Sequence, residues 1–408
     1  MKAMMLTKHK LGDLLEVTRG ASLSGEYFAT QGDYMRLTCG NFDYQSNCFK
    51  SNTSKDNLYY TGNFNQEYLM EKDDIITPLT EQAVGLLGST AWVPEGGKYI
   101  QSQDVAKITP NERLLDKKFC YYLISSKVVK QQLSAAAQQT KIRHTSPDKI
   151  KDCTVWIPSL EEQTKIGQFL YDIDSKIALN RQINDNLEAM ARQLYDYWFV
   201  QFDFPDENGR PYKSSGGKMK WNERLKRKIP IGWKVVSVNE IANSVRGVTY
   251  KKEDLVDKNE GILVLRGNNI QDNKLIYDSN VSYVPTKLVS EEQHIKTKDI
   301  IMTMSSGSKE HIGKCVMFQD DSDETYGAFL TKFSAFPKCK YLLYQLFNSL
   351  YFKEAIKSFA IGTGINNLTN STFDNIYTVL PSDIVLSRFD EIEGYIYIKV
   401  LVYCGPIQ

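Results

Sequence analysis

The chain repeats itself, and this repeat limits the possible folds more than any other feature of the sequence. LGDLLEVTRGAS at 11–22 returns as VNEIANSVRGVT at 238–249, and VWIPSLEE at 155–162 returns as TVLPSDIV at 378–385. Four more pairs lie between these ends in the same order, each offset by about 225 residues: RLTCGNF (36–42) with VLRGNNI (264–270), EKDDIITPLT (71–80) with KTKDIIMTMS (296–305), LLGSTAW (86–92) with HIGKCVM (311–317), and TKIRHTS (140–146) with TGINNLT (363–369). The sequence therefore predicts two copies of one module, each roughly 150 residues long, which is a common domain size.

Each module mixes strand and helix signals. Short β-rich runs such as DDIITPL (73–79) and KDIIMTM (298–304) alternate with turns rich in Gly, Asn and Ser. A helical segment follows in each copy, at 116–136 and at 340–360. We therefore expect an α+β fold built from two similar, β-rich modules.

A long helix is predicted between the modules, at residues 158–199. Helices in globular domains average only ~11–12 residues. With Ile166 at an a position, the apolar residues follow the narrow a/d stripe of a coiled coil, in which a polar residue such as Asn180 favours one register. The predicted seam, which would also dock other subunits, comprises Ile166, Phe169, Ile173, Asn180, Ile183, Leu187, Met190, Leu194 and Tyr197. The alternative is an ordinary core helix, but its place between the repeats favours a spacer.

The segment after the helix, 200–230, is rich in Pro, Gly, Ser, Lys and Arg. This composition predicts a solvated basic linker, with a phosphate-binding element as the alternative. The predicted organisation is a first module at 1–157, the long helix at 158–199, the linker at 200–230, a second module at 231–380, and a distal region at 381–408.

The composition excludes several classes of protein. The formal net charge of the 408-residue chain is +1, so any site for nucleic acid must be local. Its 7 cysteines are scattered, which favours reduced thiols over disulfides or zinc. We find no apolar run long enough for a membrane span and no signal peptide, and we expect a cytoplasmic protein.

The sequence contains no recognisable catalytic motif. It lacks a phosphate-binding loop, a dinucleotide-binding turn, and the N-P-P-Y or D-P-P-Y tetrad of amino-methylating DNA methyltransferases. The histidines at 9, 144, 294 and 311 form no pair with metal-ligand spacing. These absences predict a binding protein that holds neither a metal nor a cofactor.

The central region resembles a known family. P-S-L-E-E-Q-x-x-I at 158–166 is followed by F-L-x-x-I-D-x-x-I-x-x-N at 169–180, L-Y-D-Y-W-F-V-Q-F-D-F-P at 194–205 and G-R-P-Y-K-S-S-G-G at 209–217. This series looks like the central conserved region of the specificity subunit of type I restriction–modification systems. The repeats resemble its two target recognition domains, so the resemblance covers nearly the whole chain.

The resemblance implies a function without catalysis. Each target recognition domain would read one half of a split site in double-stranded DNA. A central and a distal helix would pack antiparallel, set the gap between the half-sites, and dock two modification subunits. Methylation with S-adenosylmethionine would belong to those subunits, and ATP- and Mg-dependent translocation and cleavage to a restriction subunit.

The distal region departs from the family pattern. Residues 381–393 can begin a second long helix, but Gly394 interrupts it, and YIYIKVLVYC at 395–404 is β-branched and aromatic. We therefore expect the distal helix to be truncated and largely missing, or alternatively a short strand that pairs with the second module. The seam of the long helix would then be unpaired, and the protein would self-associate through it.

Residues for DNA contact are predicted from the polar side chains of loops that recur in both modules. In the first module they are Arg19, Arg36, Lys141, Arg143 and His144. In the second module they are Arg246, Lys251, Lys252, Arg266, Asn268, Asn269, Ser305, Ser308, Lys309, Asn366 and Asn367. Two alternatives remain: Asn268 and Asn269 could serve turn geometry, and the arginines at 19 and 246 could hold the Arg-Gly turn.

Two other functions are compatible with the sequence. The chain could be the remnant of a self-contained restriction–modification enzyme that lost its catalytic part. It could also be a coiled-coil scaffold that does not bind nucleic acid. The DNA sequence recognised cannot be read from the residues, because base readout depends on loop geometry.

Overall fold

The computed structural model describes residues 5–53, 56–81, 85–136, 143–271, 273–277, 281–308, 310–359 and 366–404. The chain divides into two compact units, Met1–Ala178 and Leu179–Gln408. The division falls within the long helix.

The described part of unit 1 contains fourteen short strands and the first half of the long helix. Its strands are β1 (Thr7–Lys10), β2 (Leu15–Arg19), β3 (Phe28–Ala29), β4 (Tyr34–Arg36), β5 (Phe42–Asp43), β6 (Cys48–Phe49), β7 (Tyr59–Tyr60), β8 (Ile75–Pro78), β9 (Thr80–Glu81), β10 (Ala91–Trp92), β11 (Tyr99–Ile100), β12 (Val105–Pro110), β13 (Arg143–His144) and β14 (Thr154–Ile157). Its helices are α1 (Lys117–Ile124), α2 (Lys127–Ala136), α3 (Pro147–Lys151) and the beginning of α4 (Leu160–Tyr195).

Unit 2 begins within α4, which continues as a π-helical turn at Asp196–Val200. Its strands are β15 (Met219–Asn222), β16 (Arg227–Pro230), β17 (Lys234–Ser237), β18 (Ala242–Arg246), β19 (Ile262–Leu265), β20 (Ile270–Gln271), β21 (Lys274–Leu275), β22 (Tyr283–Val284), β23 (Ile300–Thr303), β24 (Ser305–Ser306), β25 (Cys315–Met317), β26 (Thr325–Tyr326), β27 (Leu330–Ala335), β28 (Asn366–Asn367) and β29 (Tyr377–Leu380). Its further helices are α5 (Lys340–Asn348), α6 (Leu350–Phe359) and α7 (Asp383–Cys404).

The two units share one strand topology. The central sheet is antiparallel, with the order β10-β8-β12-β2 in unit 1 and β25-β23-β27-β18 in unit 2. A second sheet contains one parallel pair, β4 with β11 in unit 1 and β19 with β26 in unit 2. The outer pair, β1 with β14, corresponds to β17 with β29. The predicted duplication and the α+β fold class are confirmed.

Apolar side chains of the central sheet and the helix pair form the main core of each unit. In unit 1, Ile75 and Ile108 of the sheet pack in one cluster with Tyr121 of α1. In unit 2, Ile300 and Phe333 pack in the same way with residues of α5. The central strands therefore keep one face against the helices, and core residues such as Leu79 and Met304 continue directly after β8 and β23.

The two ends of the segment at 200–230 belong to the core of unit 2, while most of the residues between them are exposed. Phe202, Phe204 and Ile229 are buried, and the ring centroids of Phe204 and Trp233 lie 4.7 Å apart. The guanidinium of Arg227 lies 4.6 Å from the ring centre of Phe202. The Pro, Gly, Ser and Lys content predicted exposure, but these few aromatic and aliphatic side chains hold the segment against the core.

The long helix begins at Leu160, after Pro158 and Ser159, as the sequence predicts. Its buried face is not the predicted a/d seam, because the d positions Phe169 and Met190 are exposed. In unit 1 the helix packs through a neighbouring face, where a Cβ on Gly167 would lie 2.5 Å from the backbone nitrogen of Phe119.

In unit 2 the buried residues of the long helix and of the π-helical turn that follows it are Asn184, Ala191, Tyr195, Trp198 and Phe199. The buried face of α4 therefore includes a small residue in each unit, Gly167 in unit 1 and Ala191 in unit 2. The a/d repeat does not select this face.

The distal region is helical, which corrects the expected truncation. Helix α7 runs through Gly394 to Cys404, so both the strand predicted at 395–404 and its pairing with the second module are wrong. Leu386, Phe389, Ile396 and Tyr397 are buried at helical spacing. Packing against α5, where the ring centroids of Tyr341 and Tyr397 lie 5.4 Å apart, outweighs the β propensity of this segment.

Helix α7 packs against the π-helical turn that follows α4 within unit 2. The ring centroid of Phe389 lies 4.7 Å from that of Phe199 and 5.7 Å from that of Trp198. Burial chiefly raises the pKa of Tyr397, and Glu188, further back along α4, adds to the rise. Helix α7 and the end of the long helix therefore run in opposite directions. The expected self-association assumed that the long helix is unpaired, and this assumption does not hold in unit 2.

Candidate nucleic-acid interface

An Arg-Gly turn is built in the same way in both units. Arg19 Nε donates to the backbone oxygen of Gln103 at 2.8 Å, and Arg246 Nε donates to that of Ala328 at 2.9 Å. A Cβ on the glycine that follows would lie 2.2 Å from a backbone oxygen in either unit. Each arginine therefore orders the loop before the long strand of the central sheet, and the rest of each exposed guanidinium faces solvent.

The residue that follows the acceptor of the arginine bond, Asp104 in unit 1 and Phe329 in unit 2, is also held in the same way in both units. The backbone oxygen of Asp104 accepts from Leu79 N at 2.8 Å, and the backbone oxygen of Phe329 accepts from Met304 N at 2.9 Å. Asp104 and Phe329 are thus equivalent positions in the two repeats.

A two-residue strand pair lies beside each of these positions. Thr80 pairs with His144, and Ser305 pairs with Asn367. The Oγ1 of Thr80 donates to Asp104 Oδ1 at 3.3 Å, and the backbone nitrogen of Ser305 donates to the oxygen of Phe329 at 3.3 Å. Loops that are distant in sequence therefore meet at one end of the central sheet.

We call this surface the loop edge. In unit 1 it comprises Arg19, Thr80, Gln103, Asp104 and His144, and in unit 2 it comprises Arg246, Ser305, Ala328, Phe329 and Asn367. Five of these ten residues are among the predicted DNA contacts. Of the others, Thr80, Gln103 and Asp104 are polar residues that the sequence prediction did not include, whereas Ala328 and Phe329 are apolar and gave no signal in the sequence.

Two predicted contacts in unit 1 are engaged within the protein. The guanidinium of Arg36 lies 3.8 Å from the ring centre of Phe28, and burial lowers the pKa of Arg36 while the charge of Asp104 opposes the shift. Arg143 Nη1 lies 3.6 Å from Oε2 of the buried Glu81. Among the members of the set in unit 1 that the structure describes, Arg19 and His144 are exposed.

Asn269, one of the predicted DNA contacts, uses its side chain within the protein. It is buried, its Oδ1 accepts from the backbone nitrogen of Arg266 at 2.9 Å, and its Nδ2 donates to the oxygen of Ile276 at 2.8 Å. Asn41 makes the equivalent bond in unit 1, to the backbone nitrogen of Thr38 at 2.9 Å. The asparagine therefore closes the turn, which is the alternative that the sequence left open.

The remaining predicted contacts of unit 2 are mostly at the surface. Lys251, Lys252, Asn268 and Ser308 are exposed, and Arg266 is half-buried. Lys141 and Lys309 lie outside the described residues, and Asn366 is described only by its backbone pairing with Ser306.

The described residues contain no group of three or more His, Cys, Asp or Glu side chains arranged to hold a metal ion. Beside the loop edge of unit 1, the half-buried Cys39 donates through Sγ to the backbone oxygen of Thr80 at 3.3 Å, and burial and Asp104 raise the pKa of its thiol to about 11. None of the helices in the described part of the chain has the length and apolar composition that a membrane span requires.

Comparison with known proteins agrees with this architecture. The family model for the type I restriction modification DNA specificity domain matches residues 6–189 and 230–383, which is one match for each repeat. The chain belongs to this type I specificity family.

Several members of the family are similar to this chain. The specificity subunit of the type I restriction enzyme StySPI from Salmonella potsdam is 34% identical over 160 residues, which are 38% of this chain and 34% of that protein. The EcoKI specificity subunit of Escherichia coli K12 is 35% identical over 164 residues, again 34% of its length. The alignments thus span about a third of these two relatives. The MjaIX specificity subunit of Methanocaldococcus jannaschii is 24% identical over 74% of this chain and 66% of that protein.

The specificity-family fold extends over the whole chain. The crystal structure of the type I restriction–modification S subunit from M. genitalium matches with a TM-score of 0.58 and 15% identity. The match covers 99% of this chain and 92% of that one.

Proposed function

We propose that this chain is the DNA-recognition subunit of a type I restriction–modification complex, in which each unit reads one half of a bipartite DNA site. One observation carries the proposal: the loop edge has the same backbone frame in both units but different side chains. A shared frame suits binding to the same duplex geometry, whereas different side chains suit different base pairs.

The long helix and α7 are the elements proposed to set the gap between half-sites and to dock two modification subunits. Exposed apolar residues of α4, such as Phe169 and Met190, are available for such docking. S-adenosylmethionine, ATP and Mg would be used by the modification and restriction subunits in the cytoplasm. The chain itself contributes recognition and no chemistry.

Exchange of the first unit tests the division of labour. We expect that replacing residues 1–157 with the corresponding module of another family member will change one half of the methylated site and leave the other half intact, because the two loop edges are separate. Sequencing of methylated bases in cells that express the exchanged chain with its modification subunits gives the result. A change in both halves at once would contradict independent reading.

The absence of catalysis is tested with the purified chain. We expect neither methylation nor cleavage of DNA when S-adenosylmethionine, Mg²⁺ and ATP are supplied together, because no catalytic motif is present in the sequence. Adding the modification subunits should restore methylation. Turnover that stays with the chain through stringent purification would instead support a self-contained enzyme.

A further inference from the structure

The loop edges of the two units differ most at one pair of equivalent positions. Asp104 occupies the position in unit 1, and its carboxylate accepts from Thr80 Oγ1 at 3.3 Å. Phe329 occupies the same position in unit 2, with 63% of its surface exposed. An acceptor group in one unit is therefore replaced by an apolar ring in the other.

The backbone at Phe329 is fixed, so the ring projects from a rigid frame. Its oxygen accepts from the backbone nitrogens of both Met304 and Ser305, at 2.9 and 3.3 Å. The preceding residue, Ala328, accepts from Arg246 Nε at 2.9 Å. The frame also connects the ring to polar neighbours, since Ser305 pairs with Asn367.

A single exposed apolar side chain is common on protein surfaces. What distinguishes Phe329 is its place among Arg246, Ser305 and Asn367, whose side chains are of the types that hydrogen-bond to base edges. A phenylalanine ring cannot form such bonds. Within a set of base-reading residues, it can recognise only an apolar feature of the duplex.

The major groove presents one such feature, the C5 methyl group of thymine. We propose that Phe329 is a specificity-determining residue that contacts the methyl group of a thymine in the half-site read by unit 2. The inference rests on the proposed function. Since the equivalent residue of unit 1 is Asp104, methyl recognition at this position belongs to one half-site only.

Substitution of uracil for thymine removes this methyl group without changing base pairing. The full chain, in complex with its modification subunits, would first be used to select its site from a randomised duplex library. Each thymine of that site is then replaced in turn by uracil, and binding is measured by fluorescence anisotropy at fixed salt. We expect one uracil, in the half-site of unit 2, to weaken binding about fourfold, the factor corresponding to one buried methyl group.

Variants of two phenylalanines assign the effect to a residue. Phe329→Ala should weaken binding at least tenfold and abolish the difference between thymine and uracil, whereas Phe329→Leu should retain part of that difference. Phe336→Ala is the matched control, because Phe336 is 41% exposed and follows the other end of β27. It should leave both quantities unchanged.

The inference is overturned if no uracil weakens binding more than twofold or if Phe329→Ala preserves the discrimination. It is also overturned if Phe336→Ala has the same effect as Phe329→Ala. If Phe329→Ala lowers the affinity but uracil has no effect, the ring inserts between base pairs and does not recognise a methyl group, which also overturns the inference. If the complex selects no DNA sequence at all, the proposed function fails and this inference fails with it.

Discussion

Replacement of Asp299 by alanine is expected to lower the free energy of unfolding of unit 2 by about 3–5 kcal/mol, the usual cost of removing one partner of a buried ion pair. Asp299 and Lys332 are both only 7% exposed at their side chains, and Nζ lies 3.3 Å from Oδ2. The carboxylate also accepts from Ser334 Oγ at 2.6 Å and from Lys296 N at 2.8 Å. The variant leaves a buried ammonium without its counter-charge and two donors without an acceptor.

The repeat supplies a matched control for this substitution. Asp74 and Lys107 form the equivalent pair in unit 1 at 2.7 Å, but their side chains are 13% and 28% exposed. Asp74→Ala should therefore cost less, about 1–2 kcal/mol, because solvent screens the remaining charge.

Amide hydrogen exchange measures both effects in one experiment, since peptides from β23 and β27 report on unit 2 and peptides from β8 and β12 report on unit 1. The double variant Asp299→Leu, Lys332→Met should recover most of the loss, because it removes both buried charges. Unchanged protection of β23 and β27 in Asp299→Ala would show that the pair does not stabilise the sheet.

Replacement of Glu393 by glutamine is expected to stabilise unit 2 increasingly as the pH rises from 5 to 8. Burial, with a smaller contribution from Asp390, raises the pKa of Glu393 from 4.5 to about 8, against the hydrogen bond donated by Gln345 Nε2 at 2.9 Å. Between these two pKa values the folded protein holds a proton that the unfolded chain has released. The free energy of unfolding therefore falls by about 1.4 kcal/mol per pH unit as the pH rises through this range, and the stabilising contribution of the protonated carboxyl group is lost in full above the folded-state pKa.

Glutamine keeps the hydrogen bond and removes the ionisation. Urea unfolding followed by circular dichroism should show little difference between Glu393→Gln and the parent at pH 5, and a gain of several kcal/mol at pH 8. Glu391→Gln, on the exposed face of the same helix, serves as the control and should stay within about 0.5 kcal/mol of the parent. A gain that is independent of pH would assign the effect to packing and not to ionisation.

Much of the architecture follows from local sequence patterns. The repeated segments predicted two similar α+β units, and Pro158 and Ser159 marked the beginning of the long helix, because turn residues, strand periodicity and helix capping act over a few neighbouring positions. The central motifs carried the resemblance to the type I specificity family, which the family comparison confirms.

The incorrect predictions concern features that depend on contacts between segments far apart in the sequence. Residues 395–404 have the β-branched and aromatic composition of a strand, yet packing of Tyr397 against Tyr341 keeps them helical. The buried face of α4 includes Gly167 in unit 1, where a Cβ would collide with the backbone of α1, and Ala191 in unit 2.

The same distinction holds for the candidate site. Polarity and recurrence in the sequence identified Arg246, Ser305 and Asn367 as surface-loop residues, but they could not distinguish them from Asn269, whose amide is used to close a turn. Phe329 gave no signal in the sequence, because an isolated phenylalanine is usually part of a core. Its proposed role depends on the tertiary structure, in which strands far apart in the sequence place its backbone beside Ser305 and leave its ring exposed to solvent. The reason is that the burial of a side chain depends on the segments that fold against it.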